Sequence, residues 1–381
     1  MDFAFTAEDE AFRAELRGFL REHWTGQPRD RGSVESFQQT MAARGWLTMS
    51  WPKAYGGGGA THMQQLIFKE EIFNAGAPGS DGGVNLVGPA LMVHGTEEQK
   101  REHLPRIARA EVKWCQGFSE PGAGSDLASL QTRAVRDGDD YVINGQKIWT
   151  SGAHEADWIH VLTRTDPDAP KHRGISYFLA DMKSPGITVR PITQITGRPG
   201  FNETYFDNVR VPARNMVGEL NRGWYAATTT LDFERSGIER NFTARGDWNR
   251  AYTFLQTDAG RAALKKQASG WRQKLIELRI ECEAGMWIAR RVAWMQGRGL
   301  VPNYESSMSK VFNSEVGQRV SEFVVNLFGL TGLLREGDRH AVLEGMPAFR
   351  YLDARRLSVG QGTSEINRNV IATRGLGLPR G

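Results

Sequence analysis

The sequence predicts an α+β protein in three parts: a helical N-terminal domain over residues 1–112, a barrel-like central β-domain over 113–217, and a C-terminal helical bundle over 218–381. Three observations lead there. Apolar residues recur at helical spacing through roughly the first hundred positions. Near Lys113 the texture changes to short β-rich runs separated by turn residues. After RVPARNMVGELNRGW the helical spacing returns.

The first helix opens at Thr6-Ala7-Glu8-Asp9, which has the pattern of a capping box, and Phe12, Leu16, Phe19 and Leu20 then share one face. THMQQLIFKEEIF and GTEEQKREHLPRIAR continue in helical register. Between them, AYGGGGATH reads as a flexible turn rather than a phosphate cradle, because no Lys-Ser/Thr follows the glycines. In the middle third, Tyr141-Val142-Ile143 and Lys147-Ile148-Trp149 read as a hairpin around Asn144-Gly145. WIHVLTRT, ISYFLAD, ITVRPI and ETYFDNVRV follow as further strands. In the last third, Trp271, Leu275, Leu278, Cys282, Ala289 and Val292 form the stripe of a long helix, either bundle core or an oligomer seam.

Composition narrows the function classes. The chain has 381 residues, 40% hydrophobic and 24% charged, enough for a deep ligand pocket. A net charge of +4 with scattered basic residues suits an anionic small molecule better than nucleic acid. The opening MDFAFTAEDEAF lacks the basic-then-apolar order of a signal peptide, and no run approaches membrane-spanning length. Cys115 and Cys282 stand far apart, so a reducing cytoplasm is the simplest location.

The chain carries few of the familiar catalytic patterns. There is no HExxH, no His/Cys cluster and no GxSxG, so no metal site is expected. EPGAGSDL fails the dinucleotide fingerprint at Leu127. Two segments stand out instead. In QGFSEPGAGSDLAS, Gly122 and Gly124 admit a ligand close to the backbone, while Ser119 and Ser125 offer hydroxyls. In GQKIWTSGA, Trp149 can lie against a planar ring with Thr150 and Ser151 at its edge. Read singly, the first is better taken as a Gly-Pro surface loop and the second as an ordinary strand.

Taken in order, with AYGG, GTEEQKREHLPRIA, NGQKIWTSGAHEADW, FNETYFDNVRVPARNMVGELNRGW and GTSEINRNVIATRGLGLPR, they make the chain resemble the acyl-CoA dehydrogenase family over nearly its whole length. The resemblance implies FAD, an acyl-CoA substrate oxidised to the 2-enoyl-CoA, and an electron-transfer flavoprotein as acceptor. It also implies a homodimer or homotetramer sharing flavin across an interface, or a catalytically incomplete member of a pair of unlike subunits. A flavin monooxygenase or oxidase on the same fold is the further alternative, since fold does not fix function. By position, Gln116, Phe118, Ser119, Ser125, Trp149 and Ser151 would contact the flavin, and Thr363 and Glu365 would lie near its adenosine half. Asn326 and Gly329, in NLFGLTG, correspond to a cross-subunit flavin patch, with Asn326 replacing a usual Gln and Leu330 a usual Gly.

The same resemblance raises a difficulty. Many members carry the catalytic carboxylate where Gln361 stands, and an amide takes up no proton near neutral pH. The N–H of Gln361 would still help hold the thioester carbonyl. In one branch of the family the base lies on a helix early in the C-terminal domain, directly before an arginine. The matching stretch is TTTLDFERSGIER, which makes Glu234 the expected base, with Glu239 and Glu365 in reserve. Asp232 would bond the pantetheine arm, and Arg235 and Ser125 complete the substrate side. The plainer alternative is that Glu234 pairs with a neighbour on an exposed helix face.

Overall fold

A computed structural model describes residues 4–26, 31–234, 238–264 and 270–379, with side chains described outside 229–239. In chain order the helices are α1 (Ala7–His23), α2 (Arg31–Ala43), α3 (His62–Asn74), α4 (Gly88–His94) and α5 (Glu97–Ala108). The strands are β1 (Trp114–Gly117), β2 (Arg133–Asp137), β3 (Asp140–Lys147), β4 (Trp158–Arg164), β5 (Ile175–Asp181), β6 (Ile187–Ile192), β7 (Phe201–Pro212) and β8 (Met216–Val217). Then come α6 (Gly223–Glu234), α7 (Ile238–Leu255), α8 (Asp258–Leu264), α9 (Trp271–Gly297), α10 (Tyr304–Leu327), α11 (Met346–Asp353) and α12 (Ser364–Val370). Helices, sheet, then helices is the α+β order that the sequence predicts. No helix among the described residues is long and apolar enough to cross a membrane. The chain forms two compact units: Met1–Gln27 with Thr61–Ala77 and Arg235–Gly381, and Pro28–Ala60 with Pro78–Glu234.

The second unit is built on a sheet of order β6-β7-β3-β2-β4-β5-β8, with β1 parallel to β4. Strand β5 is buried on both faces. Ile175, Tyr177 and Leu179 enter a core shared with Trp51, Leu91 and Ala227, while Phe178 and Ala180 enter a second core with Ile143, Ile159 and Val209. Such two-sided burial is why ISYFLAD reads as an almost continuous apolar run.

Two local expectations are corrected here. Asn144-Gly145 is not a hairpin turn: β3 runs straight through it, and the pairing with β7 slips between Ile143 and Gly145, which is a β-bulge. Gly145 has φ +147°, and a Cβ there would sit 2.6 Å from Thr132 Oγ1, so glycine is required for a close approach of two strands. The actual turn joins β2 to β3 at Gly138, whose φ is +64°. Nor is AYGGGGATH loosely held. A Cβ on Gly57 would lie 2.0 Å from the Trp51 carbonyl oxygen, and Gly59 and Ala60 donate to Trp51 and Met49 carbonyls.

In the first unit, the capping box at Thr6 forms, with Asp9 N–H donating to Thr6 Oγ1 and Thr6 N–H to Asp9 Oδ2. Arg13 of α1 donates to Glu70 and Glu71 of α3 at 3.0 and 2.6 Å, and Arg245 of α7 also bonds Glu70. Helices α7 and α10 run parallel: Asn241 bonds Asn313 near one end, and Phe254 meets Phe328 near the other. Along α9, Leu275, Leu278 and Cys282 pack with Val316, Val320 and Val324 of α10, so in this chain that stripe is bundle core.

Candidate active site

In the sheet-containing unit, β1 delivers the first of the two segments and the end of β3 the second. Gln116 stands opposite His160 in the parallel β1–β4 pairing. Its side-chain nitrogen is buried with no hydrogen-bond partner among the described residues, as is the hydroxyl of Thr150. Orphaned buried donors of this kind mark places where a ligand or an ordered water completes the bonding. The Ile148 N–H donates to the Ser119 carbonyl at 2.9 Å, which sets the two segments side by side.

Beyond Ser119 the chain makes a tight turn, with Glu120 and Ala123 exchanging backbone hydrogen bonds of 3.0 Å. Ser125 is exposed at its far side. An added Cβ at Gly122 or Gly124 would meet no atom within 4 Å, so the loop presents bare backbone to open space. An open groove of ≈ 530 Å³ runs along it, lined by Glu120, Gly122, Thr132 and Gln146 among others. Trp149 is 56% exposed and adopts φ +61°, a left-handed conformation rare for a bulky residue. Backbone strain of this sort recurs at functional sites. Ser151 is exposed two residues on.

Phe118 is placed differently from its neighbours. Its ring lies in the core, edge-on to His160 and Tyr177 at 5.3 and 6.1 Å, which leaves its backbone as the part able to face a ligand. Beneath it, Tyr177 Oη and His160 Nδ1 are 2.7 Å apart. Full burial drives the proton affinity of that imidazole down to about 3, so it is neutral at physiological pH.

The helical unit carries Asn326, Gly329 and the tail-loop positions. Asn326 is exposed in the last turn of α10, and Gly329 follows with φ +55°. The tail loop leads into α12. Gln361 is exposed with φ +59°, Gly362 has φ +80°, and Thr363 caps the helix by accepting the Ile366 N–H at 3.1 Å. Glu365 lies exposed in the first turn. Asn367, which sequence reasoning missed, pins this loop by donating to the Gly362 and Thr363 carbonyls at 3.0 and 2.9 Å. Asp232 and Glu234 fall at the end of α6, but their side chains, like that of Glu239, lie outside the described residues, as does Arg235 entirely.

The comparisons agree with this architecture. Descriptions of the acyl-CoA dehydrogenase N-terminal, middle and C-terminal domains match residues 6–111, 115–209 and 221–376. The acyl-CoA dehydrogenase FadE26 of Mycobacterium tuberculosis is 36% identical, covering 100% of this chain and 99% of that protein. IpdE1 of the same organism is 35% identical, covering 97% and 98%. Among solved structures, the Tcur3481-Tcur3483 steroid ACAD superposes with a TM-score of 0.91 at 34% identity, covering 100% of both chains. The ChsE4-ChsE5 complex of Mycobacterium tuberculosis gives 0.90 at 36% identity, again covering 100% of both. The chain therefore belongs to the acyl-CoA dehydrogenase family. Its class is that of the FAD-dependent oxidoreductases.

Proposed function

We propose that this protein oxidises an acyl-CoA thioester to its 2-enoyl-CoA, with Glu234 taking the α-proton. Bound FAD supplies the chemistry of accepting the β-hydrogen as hydride at N5. The chain's own part is to hold, orient and deprotonate. Gln116, Ser119, Ser125, Trp149, Ser151 and the Phe118 backbone hold the flavin, with Thr363 and Glu365 toward its adenosine half and Asn326 and Gly329 forming the cross-subunit flavin patch. The backbone N–H of Gln361 supports the thioester carbonyl, stabilising the negative charge that develops there as the α-proton leaves. A carboxylate desolvated beside an acyl chain gains proton affinity, which suits a general base. Asp232, Arg235 and Ser125 hold the CoA side. The domain boundaries 1–112, 113–217 and 218–381, a cytoplasmic location and an electron-transfer flavoprotein as acceptor belong to the same reading.

The observation that carries it is the Ser119–Ile148 hydrogen bond, which lays a hydroxyl-bearing glycine loop beside an exposed indole. Likeness to a steroid ACAD favours a bulky, polycyclic acyl group over a straight medium chain. The test is anaerobic mixing with a panel of acyl-CoA thioesters while flavin absorbance is followed, with Glu234→Gln alongside. Bleaching of the wild type alone supports Glu234 as base; bleaching of both transfers that role to Glu239 or Glu365.

A second reading has specific support. Two of the similar structures carry the names of two chains each, and Gln361, Asn326 and Leu330 depart from the family pattern. On this reading the chain works beside an unlike subunit rather than as a homotetramer. Purification alone decides: a colourless chain that turns yellow only with a second chain supports the mixed assembly.

A further inference from the structure

A buried ion pair joins the two segments assigned above to the flavin. Lys147, the last residue of β3, is fully buried, and its Nζ donates to Glu120 Oε1 at 2.8 Å and to the Phe118 carbonyl at 3.1 Å. The Glu120 carboxylate, also buried, accepts the N–H groups of Gln131 at 2.6 Å and Thr132 at 2.8 Å. One ammonium and one carboxylate thus tie together the start of the glycine loop, its return at 131–132, and the strand that becomes Trp149. The bulge at Gly145 serves the same junction, since it is what lets β3 press against Thr132.

A simple prop would not need charges. Burying a lysine is costly, and here desolvation lowers its proton affinity to about 8 despite the opposing pull of Glu120. Apolar side chains of the same volume would fill the space at less expense. What they would lack is direction: besides the bond between them, the pair makes three hydrogen bonds that fix backbone groups at 118, 131 and 132. The residue after Lys147 then donates to the residue before Glu120, through the Ile148–Ser119 bond.

We propose that Lys147 and Glu120 are positioning residues that preset the glycine loop against the Trp149 segment before flavin arrives. The proposal rests on the flavin reading of those two segments. Neither residue touches the cofactor; both act through the backbone they hold.

Single substitutions strand a buried charge and can abolish folding, so the informative variant is Glu120→Gln/Lys147→Met, which removes both charges at nearly constant volume. Its far-UV spectrum and melting temperature are expected to match wild type within a few degrees, while its affinity for FAD, titrated by flavin fluorescence, falls at least tenfold. A folded double variant that binds FAD within twofold of wild type overturns the proposal. Hydrogen–deuterium exchange on flavin-stripped wild type decides the matter should the variant not fold. Amides of Gln131, Thr132 and Ile148 are expected to be protected before FAD is added; protection that arises only with FAD overturns presetting. A wild type that takes up no FAD, alone or with a second chain, sinks the flavin reading and this proposal with it.

Discussion

Thr150 and Asn202 exchange a reciprocal pair of hydrogen bonds: the Thr150 N–H donates to the Asn202 carbonyl at 3.0 Å, and Asn202 Nδ2 donates to the Thr150 carbonyl at 2.8 Å. Asn202 is completely buried, and its Oδ1 also lies 3.2 Å from His154 Nδ1. This pairing anchors the residue directly after Trp149 and so helps hold the Trp149 backbone in its left-handed conformation. Asn202→Ala leaves the Thr150 carbonyl without its side-chain donor, at a cost of about 1–3 kcal/mol. Urea unfolding checks that figure, and the ratio of flavin to protein absorbance in the purified variant should fall with it.

Gln361 offers a test of backbone against side chain. Its φ of +59° suits asparagine and penalises β-branched residues. Gln361→Asn should retain stability, and turnover within about threefold, because the N–H is what the proposed mechanism uses. Gln361→Val should lose about 1–2 kcal/mol of stability through left-handed strain. Turnover would drop with it as the loop shifts. Steady-state kinetics on both variants, beside their unfolding curves, separates the two effects.

Lys310 is fully buried on α10, and its ammonium has no hydrogen-bond partner among the described residues. Desolvation lowers its proton affinity to about 8. Holding the charge inside the fold therefore costs stability below pH 8, and that cost disappears between about pH 8 and the unfolded value near 10.4. Lys310→Met should raise unfolding free energy by about 1–3 kcal/mol at pH 6. The gain should shrink toward pH 10.5, as measured by urea denaturation across the range.

His160 acts at the other end of the pH scale. Because burial holds its folded proton affinity near 3, the unfolded chain takes up a proton first as pH falls. The associated stability is complete above about pH 6.5 and is lost progressively toward pH 3. His160→Gln keeps a partner for Tyr177 but does not titrate, so its stability should fall less steeply than wild type between pH 6.5 and 4. Equal slopes would show that other groups carry the acid sensitivity.

The helices and strands were legible where local pattern decides them. Thr6 with Asp9, the alternation along β7 and the stripe on α9 are contacts between near neighbours or simple periodicities. Asn144-Gly145 was misread for a physical reason. The dipeptide favours a two-residue turn in isolation, but Asn208 donates its N–H to Asn144 Oδ1 at 2.8 Å from 64 residues away, which makes a bulge of it. The candidate site follows the same division. Its loops and hydroxyls could be found from the motifs that carry the family resemblance. The residues that hold them, Lys147 with Glu120, Asn202 and Asn367, could not, because what each grips is settled by the tertiary fold rather than by a local pattern.

Strand β5 sends Ile175, Tyr177 and Leu179 to one core and Phe178 and Ala180 to the other. Losing or gaining one residue inside it would exchange every side chain between two cores of different shape, with no solvent face to absorb the misfit. Variation in chain length among natural or engineered versions of this protein should therefore be excluded from 175–181. It should collect instead in the turn-rich connection at 165–174, where the exposed Asp168, Lys171 and Arg173 leave room to spare.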